Sequence, residues 1–138
     1  MIRMLDHTAD VGFEVEAPSV EGLFAEALGG LLQVMFEAPP REGGAEERRV
    51  ELSAPDLETL LVRWLNELTF LVQGEGFVPV SAEVRVGEGP SLRARLRGVP
   101  LDVERYGWQG EIKGATFHGL EVARRREGAL HARVILDV

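Results

Sequence analysis

Three residues near the start of the chain could ionise or bind a cation, and they fall within one short segment. They are Asp6, His7 and Asp10 in LDHTADVGF, in a chain with only three histidines. Carboxylates bind hard cations such as Mg²⁺ or Ca²⁺ when several parts of a fold supply oxygen ligands. The spacing alone favours a turn in which Asp and Thr side chains accept hydrogen bonds from nearby backbone N–H groups.

The segment VILDV at the other end of the chain offers a second group of oxygen donors. Its first three residues predict a buried strand, and Asp137 and the carboxylate of Val138 follow that strand directly. Two negative groups at the end of an apolar strand are costly unless water or a partner solvates them. The pattern predicts either a solvated strand end or a place where both groups help to bind a cation or an ammonium group.

Lys113, in the segment EIKGATFH, is the only lysine of a chain that contains fourteen arginines. Lysine is a compact point charge, and its chemistry differs from that of arginine. Lys113 is therefore predicted to be either an ordinary surface lysine or, if it lies near Asp10 and Asp137, their charge partner or a contact for phosphate.

Arginine stripes and two further histidines complete the candidates. Alternating arginines on the outer face of a strand predict solvation and protection of a sheet edge. His118 and His131 are predicted to be sheet residues rather than zinc ligands. The stripes are Arg93/Arg95/Arg97, Arg124/Arg125/Arg126 and Arg48/Arg49.

The composition excludes several classes of protein. The absence of cysteine rules out disulfides, thiol catalysis and cysteine-based zinc sites. The net charge of −8 predicts no stable direct binding of nucleic acid, because proteins that bind mainly through phosphates are basic. No apolar run approaches the roughly 20 residues of a membrane helix, and the N-terminus lacks the features of a signal peptide. We therefore expect a soluble cytoplasmic protein that does not contact membranes.

The elements that must position these residues follow from the spacing of apolar side chains. Residues 11–17 alternate between apolar and polar, as in a half-buried strand. Ser19 predicts the N-cap of a helix that runs to about Phe36. The pair Gly29–Gly30 within this helix predicts a close approach to a neighbour or a weak point in the helix. A loop is predicted at 37–47, where Pro, Gly and Glu dominate.

A short strand at 48–53 is predicted to lead into the strongest amphipathic helix of the chain, SAPDLETLLVRWLNELTFLVQ. Ser53 is predicted to cap this helix, and Asp56 is favourable near its N-terminus. Its leucines recur at helical spacing and form one apolar stripe. Gly74 and Gly76 are predicted to end it.

In the second half of the chain the apolar period changes to two. Residues 78–86 and 92–96 predict a hairpin around the turn GEGP, and a later pair of strands, IKGATFHGLEVARRR and ALHARVILDV, is joined by the turn REGA. An irregular stretch at 98–111 separates the two pairs. These elements predict one α+β domain over residues 1–138, a largely antiparallel sheet with two amphipathic helices on one face.

Four segments together resemble the archease family: DHTAD, LLVRWLNEL, EIKGATFHGL and VILDV occur in that family's order and spacing. The resemblance extends over nearly the whole chain and implies an elaborated strand–helix–strand–strand module. It implies an accessory activator of the RtcB-type RNA ligase, which joins RNA ends in tRNA splicing and RNA repair through a guanylylated histidine and GTP. Such an activator promotes guanylylation and repeated turnover, and it is not itself an enzyme.

The resemblance also implies a role for individual residues. The family's metal-binding aspartate falls on Asp10 and its C-terminal aspartate on Asp137, with Val138 as a further oxygen donor. The implied cation is Ca²⁺, and Mg²⁺ or Mn²⁺ would accept similar ligands. The lysine implicated in activating the ligase falls on Lys113, acting together with the two aspartates. Two further residues are predicted to shape the turn and support the ligands without touching the cation: His7 and Asp6.

Two other classes of function stay open beside the activator. A small metal-dependent hydrolase would use Asp10, Asp137 and His7, and it would turn over its substrate without a partner. A small-molecule-binding module would show a concave apolar pocket far from Asp10. As an activator, the chain is predicted to present an acidic, cation-binding end, with Lys113 close by, to the nucleotide pocket of the ligase.

Overall fold

The computed structural model describes residues 1–5 and 11–138, and the side chains of residues 118–119 lie outside this description. Within the described residues, strands and helices occur in the following order: β1 (Ile2–Met4), β2 (Val11–Ala17), α1 (Val20–Met35), β3 (Glu46–Ser53), α2 (Leu57–Gln73), β4 (Phe77–Gly87), β5 (Ser91–Pro100), α3 (Val103–Tyr106), β6 (Gly114–Arg124) and β7 (Leu130–Asp137). No described helix combines the length and the apolar character that a membrane span requires.

The strands form two antiparallel sheets, one with the order β1-β2-β7-β6 and one with the order β3-β5-β4. The α+β prediction is confirmed, but the strands predicted to share one sheet divide between two. The division follows from the connections, since α1 carries the chain out of the first sheet and α3 carries it back. Both long helices contact strands of both sheets, α1 against β2 and β4 and α2 against β4 and β6.

The two long helices bury their apolar stripes in one core. Trp64 of α2 is fully buried, and its indole Nε1 donates a hydrogen bond to the carbonyl oxygen of Phe24 in α1 at 2.9 Å. The predicted close approach at Gly29–Gly30 is confirmed, because a Cβ on Gly30 would lie 2.5 Å from Cδ2 of Phe13 in β2. The backbone of α1 therefore lies directly on the four-stranded sheet.

The predicted cap of α2 is wrong. Ser53 is the last residue of β3, where it pairs with Ser91, so its backbone already belongs to a strand. Asp56 caps the helix instead, and its carboxylate accepts a hydrogen bond from the backbone N–H of Thr59 at 2.7 Å. Hydrogen bonding from Thr59 lowers the pKa of Asp56. The Ser19 cap of α1 is confirmed, with its hydroxyl accepting from the N–H of Gly22 at 3.0 Å.

Two elements were not predicted. The three-residue strand β1 is too short to show an alternation, and it forms by pairing with β2. The stretch predicted to be irregular contains the single turn α3, which Asp102 caps. The buried ring of Tyr106 in that turn packs edge-on against Phe36, with their centroids 6.0 Å apart. Tyr106 is thus a core residue.

Candidate functional site

Lys113, Asp137 and Val138 meet at one end of the four-stranded sheet, and we call these three residues the tip. β7 lies between β2 and β6 and ends at Asp137, while Lys113 directly precedes β6. The backbone N–H of Lys113 donates a hydrogen bond to the carbonyl oxygen of Asp137 at 2.7 Å. All three residues are exposed. The structure therefore brings together the residue before β6 and the end of β7, which lie at opposite ends of the β6–β7 hairpin in the sequence.

An irregularity within β6 creates this arrangement. Near the turn, the pairs Arg124↔Leu130 and Glu121↔Arg133 follow one register. That register, continued to the end of β7, would place Phe117 opposite Asp137. The register shifts between Thr116 and Glu121, and Gly114 pairs with Asp137 instead. The bulge thus moves the strand along by three residues and brings Lys113 to the end of β7.

Asp6, His7 and Asp10 lie outside the described residues, so their predicted part in the site stays a prediction. The residue that follows them, Val11, pairs with Leu136, which directly precedes Asp137. β2 therefore begins beside the tip, and Asp10 is the residue that directly precedes β2 in the sequence.

The charges at the tip are not neutralised within the described part of the chain. Neither the Lys113 ammonium nor the Asp137 carboxylate has an oppositely charged partner there within 4.0 Å. The carboxylate of Asp137 supplies oxygen atoms only, which is the ligand chemistry of a hard cation. Among the described residues there is no group of three or more His, Asp or Glu able to hold a metal ion.

Gln73, the last residue of α2, holds the backbone immediately before Lys113. Its side-chain Nε2 donates to the carbonyl oxygen of Ile112 at 2.8 Å, and its Oε1 accepts from the N–H of Ile112 at 2.7 Å. Ile112 is only 2% exposed, so both of its backbone groups would otherwise lack a partner. This double hydrogen bond fixes the residue next to Lys113.

Asn66, two turns earlier on α2, holds the backbone on the other side of Lys113. Its Oδ1 accepts a hydrogen bond from the N–H of Ala115 at 2.8 Å. Gly114 permits this approach, because a Cβ there would lie 3.0 Å from the same oxygen. Asn66 is the only asparagine in the chain, and this rarity is the signal that could have singled it out from the sequence, as it did Lys113.

Exposed apolar side chains lie near the tip. Phe70 sits on α2 between Asn66 and Gln73, on the helix face that these two side chains define, and it is 54% exposed. Phe117, three residues beyond Gly114 in β6, is 58% exposed, and Val138 is 57% exposed. Exposed apolar groups are characteristic of surfaces that contact another protein where they form a contiguous patch.

The outer face of the four-stranded sheet carries a second group of charges, which we call the charge ladder. Arg3, Glu14, Arg133 and Glu121 pair in that order across the four strands, so that their signs alternate. The guanidinium of Arg3 donates a hydrogen bond to the carboxylate of Glu14 and lowers its pKa. The buried His131 lies beside this ladder, with Nε2 3.6 Å from Oε1 of Glu14. His131 is a sheet residue, as predicted, and the His118 side chain lies outside the described residues.

An open depression of about 730 Å³ lies between the end of α1 and the loop that follows it. Its walls mix apolar and polar groups, whereas a small-molecule site is predominantly apolar. The residues around it include Met4, Leu32, Gln33, Phe36, Glu37, Arg41 and Gln109.

Comparison with known proteins gives one consistent result. The sequence profile of the Archease protein family matches residues 3–138. Protein archease of Methanothermobacter thermautotrophicus is 35% identical, over 99% of this chain and 97% of that protein. Protein archease of Methanosarcina mazei is 34% identical, over 97% of this chain and 93% of that protein. The solution structure of Methanobacterium thermoautotrophicum protein 1598 superimposes with a TM-score of 0.72 at 30% identity, and the match covers 99% of this chain and 98% of that one.

Proposed function

This chain belongs to the archease family, and we propose that it is an accessory activator of an RtcB-type RNA ligase. In this role it promotes the GTP-dependent guanylylation of the ligase and supports multiple turnover during tRNA splicing and RNA repair. In this role the chain need supply no nucleophile of its own. Phosphoryl transfer depends mainly on positioning and on neutralisation of charge, so a second protein can accelerate it without forming a covalent bond.

The observation that carries the proposal is the juxtaposition of Lys113 and Asp137 at an exposed sheet end. Gln73 and Asn66 hold the backbone on both sides of Lys113, so the base of its side chain is fixed. The long lysine side chain can then extend from a fixed point toward a phosphate oxygen of GTP in the pocket of the ligase. Its ammonium group would offset negative charge that builds up during guanylyl transfer.

Asp10, Asp137 and an oxygen of Val138 would together hold the cation, Ca²⁺ or in its place Mg²⁺ or Mn²⁺. The exposed oxygen donors of the tip fit such an ion, and Val11, the neighbour of Asp10 in the sequence, pairs with Leu136 at the same sheet end. Bound there, the cation would supply charge neutralisation for triphosphate oxygens. The chain's own residues orient that charge and bring Lys113 beside it.

Phe70, Phe117 and Val138 support a protein as the partner of the tip. Together they give an otherwise polar sheet end the apolar contact area that protein interfaces bury at their centre. A substrate pocket enclosed by this chain alone is not required, because the reacting groups belong to the ligase.

The test is multiple-turnover RNA ligation by a purified RtcB-type ligase with Asp10→Ala, Asp137→Ala or Lys113→Ala added in place of the wild-type chain. We expect each variant to return the rate to that of the ligase alone, while Arg125→Gln, an exposed change in the β6–β7 turn, activates normally. Normal activation by all three variants would disprove the site. Metal-dependent hydrolysis by the isolated chain would favour the hydrolase instead.

A further inference from the structure

The outer face of the three-stranded sheet carries an array of charged side chains that the tip does not use. Along residues 47–53, 81–87 and 93–97, every second residue points to this face and is exposed. The pairing register places them in rows, so that Arg49, Arg95 and Glu83 form one row and Glu51, Arg93 and Arg85 the next. We call the set the arginine face: Glu47, Arg49, Glu51, Glu83, Arg85, Arg93, Arg95 and Arg97.

The position of β5 removes the explanation that the sequence suggested for its arginines. Arg93, Arg95 and Arg97 were predicted to solvate the sheet and to protect an edge. They are exposed, but β5 is the central strand of the order β3-β5-β4 and has no edge to protect. The predicted pair Arg48/Arg49 also divides, because Arg48 turns to the opposite side, with its guanidinium 4.7 Å from the ring centroid of Phe77.

The arginine face is positively charged within an acidic protein. It contains five arginines and three glutamates, a net charge of +2, whereas the whole chain carries −8. Three of the arginines share one carboxylate: Glu47 lies 3.7 Å from Arg49, 3.4 Å from Arg95 and 4.0 Å from Arg97. One carboxylate cannot neutralise three guanidinium groups, so positive charge is left for an external anion.

The shape of this face also suits an extended ligand. Residues two apart on a strand are separated by about 6.8 Å, so Arg93, Arg95 and Arg97 form a row of about 14 Å. That length corresponds to about four stacked nucleotides of one strand. A depression of about 330 Å³, lined by Arg49, Arg85 and two arginines of the row, lies along it. Guanidinium groups bind phosphates bidentately and also stack on bases.

We propose that the arginine face binds the sugar–phosphate backbone of single-stranded RNA, weakly and without sequence preference. The choice of RNA over another polyanion rests on the proposed function, because an activator of an RNA ligase works where RNA ends are present. None of the residues of this face is aromatic, so recognition comes from the phosphates and from arginine rather than from aromatic stacking platforms. The face would keep an RNA strand close to the ligase while the tip acts on the nucleotide pocket.

The test measures binding of a fluorescent twelve-nucleotide oligouridine to the isolated chain, with no ligase present, by fluorescence anisotropy at several salt concentrations. Three phosphate contacts to a single strand predict a slope of about −2 for the logarithm of affinity against the logarithm of salt concentration. The triple variant Arg93→Gln/Arg95→Gln/Arg97→Gln should weaken binding at low salt by about tenfold or more and flatten this slope.

A matched control separates the array from net charge. Arg41→Gln/Arg125→Gln/Arg126→Gln removes the same charge from exposed sites elsewhere and should change the affinity by less than about twofold. Glu47→Gln should strengthen binding by about threefold, because it frees three arginines from their shared carboxylate. A gain of this kind cannot arise from damage to the fold.

Several results would overturn the proposal. These are no binding of the wild type at low salt, equal losses in the two triple variants, or no gain for Glu47→Gln. Equally strong binding of a twelve-residue polyglutamate would replace RNA with an acidic protein as the ligand. The binding assay contains no ligase, so a failure to bind RNA would not affect the proposal that the tip activates the ligase. Conversely, a chain that binds RNA but does not activate the ligase would disprove only the proposed function.

Discussion

The four-stranded sheet uses charge differently on its outer face and at its end. On the outer face the charge ladder pairs Arg3 with Glu14 and sets His131 beside that carboxylate. At the tip, Lys113 and Asp137 touch through their backbones, and the described part of the chain neutralises neither side chain. Arg3 and Glu14 join β1 to β2 through charged side chains, whereas neutral hydrogen bonds from α2 hold the tip.

This difference separates stability from function. A charge that is satisfied within the fold contributes to the free energy of folding and is unavailable to a partner. A charge that is exposed and unpaired adds almost nothing to folding but can meet a ligand. We therefore expect changes at the amide contacts and the ladder to alter stability, and changes at the tip to alter activation alone.

The largest loss of stability is expected for Gln73→Ala. This change leaves the buried N–H and C=O of Ile112 without their partners, and each unsatisfied group costs about 1–3 kcal/mol. Chemical denaturation should show a decrease in the free energy of unfolding of about 2–4 kcal/mol. Gln33→Ala, at an exposed position of α1, is the control. Equal stabilities of the two variants would show that Gln73 does not hold the strand.

A smaller loss is expected for Asn66→Ala, which removes one acceptor. The N–H of Ala115 then loses its partner, at a cost of about 1 kcal/mol. Asn66→Asp keeps an oxygen at that position and should restore most of the stability and of the ligase activation. If the two variants activate alike, Asn66 does not position Lys113.

The charge ladder should make the free energy of unfolding depend on pH. Because Arg3 lowers the pKa of Glu14, the unfolded chain binds the proton more tightly, and stability falls as pH decreases from about 4.5 through the lowered pKa. Glu14→Gln should remove this part of the acid loss and cost no more than about 1 kcal/mol at pH 7, since Arg3 is 68% exposed. Thermal unfolding between pH 3 and pH 7 measures both effects. Glu88→Gln, in the β4–β5 turn, is the control, and its stability should fall in acid as steeply as that of the wild type. An equally steep fall for Glu14→Gln would show that Glu14 is not responsible for the loss of stability in acid.

The smallest effect on stability is expected at the tip itself. Lys113→Ala and Asp137→Ala remove exposed side chains without charge partners in the described part of the chain, so the free energy of unfolding should change by no more than about 0.5 kcal/mol. Chemical denaturation of each variant checks this. A loss near that of Gln73→Ala would mean that the tip charges stabilise the fold, and the contrast with the ladder would fail.

Local patterns in the sequence predict most elements of this fold. The alternation in β2 and in the β4–β5 hairpin, the apolar run of β7 and the leucine stripe of α2 depend only on side chains close in sequence, and the structure confirms these elements. The division into two sheets depends on which strands pair across long distances, and no local pattern contains that information. The cap of α2 was missed because Ser53 fits either a strand end or a helix cap, and the register of β3 with β5 decides between them.

The candidate site was predictable in its residue types but not in its geometry. The rarity of lysine and aspartate singled out Lys113 and Asp137. Their contact depends on the bulge between Thr116 and Glu121. Without it, the register set at the β6–β7 turn would place Phe117 opposite Asp137. Gln73 was missed because a polar residue at the end of an amphipathic helix looks like an ordinary surface residue until its partner strand is known.

The central claim is that Lys113 and Asp137 at the tip accelerate guanylylation of the ligase. The direct measurement is the single-turnover rate of guanylate transfer from labelled GTP to an RtcB-type ligase, with Ca²⁺, Mg²⁺ or Mn²⁺ present and with each variant added in turn. We predict that the wild type and Arg125→Gln accelerate transfer equally, and that Lys113→Ala and Asp137→Ala, folded as stably as the wild type, leave the rate at that of the ligase alone. Full acceleration by both tip variants would contradict the account.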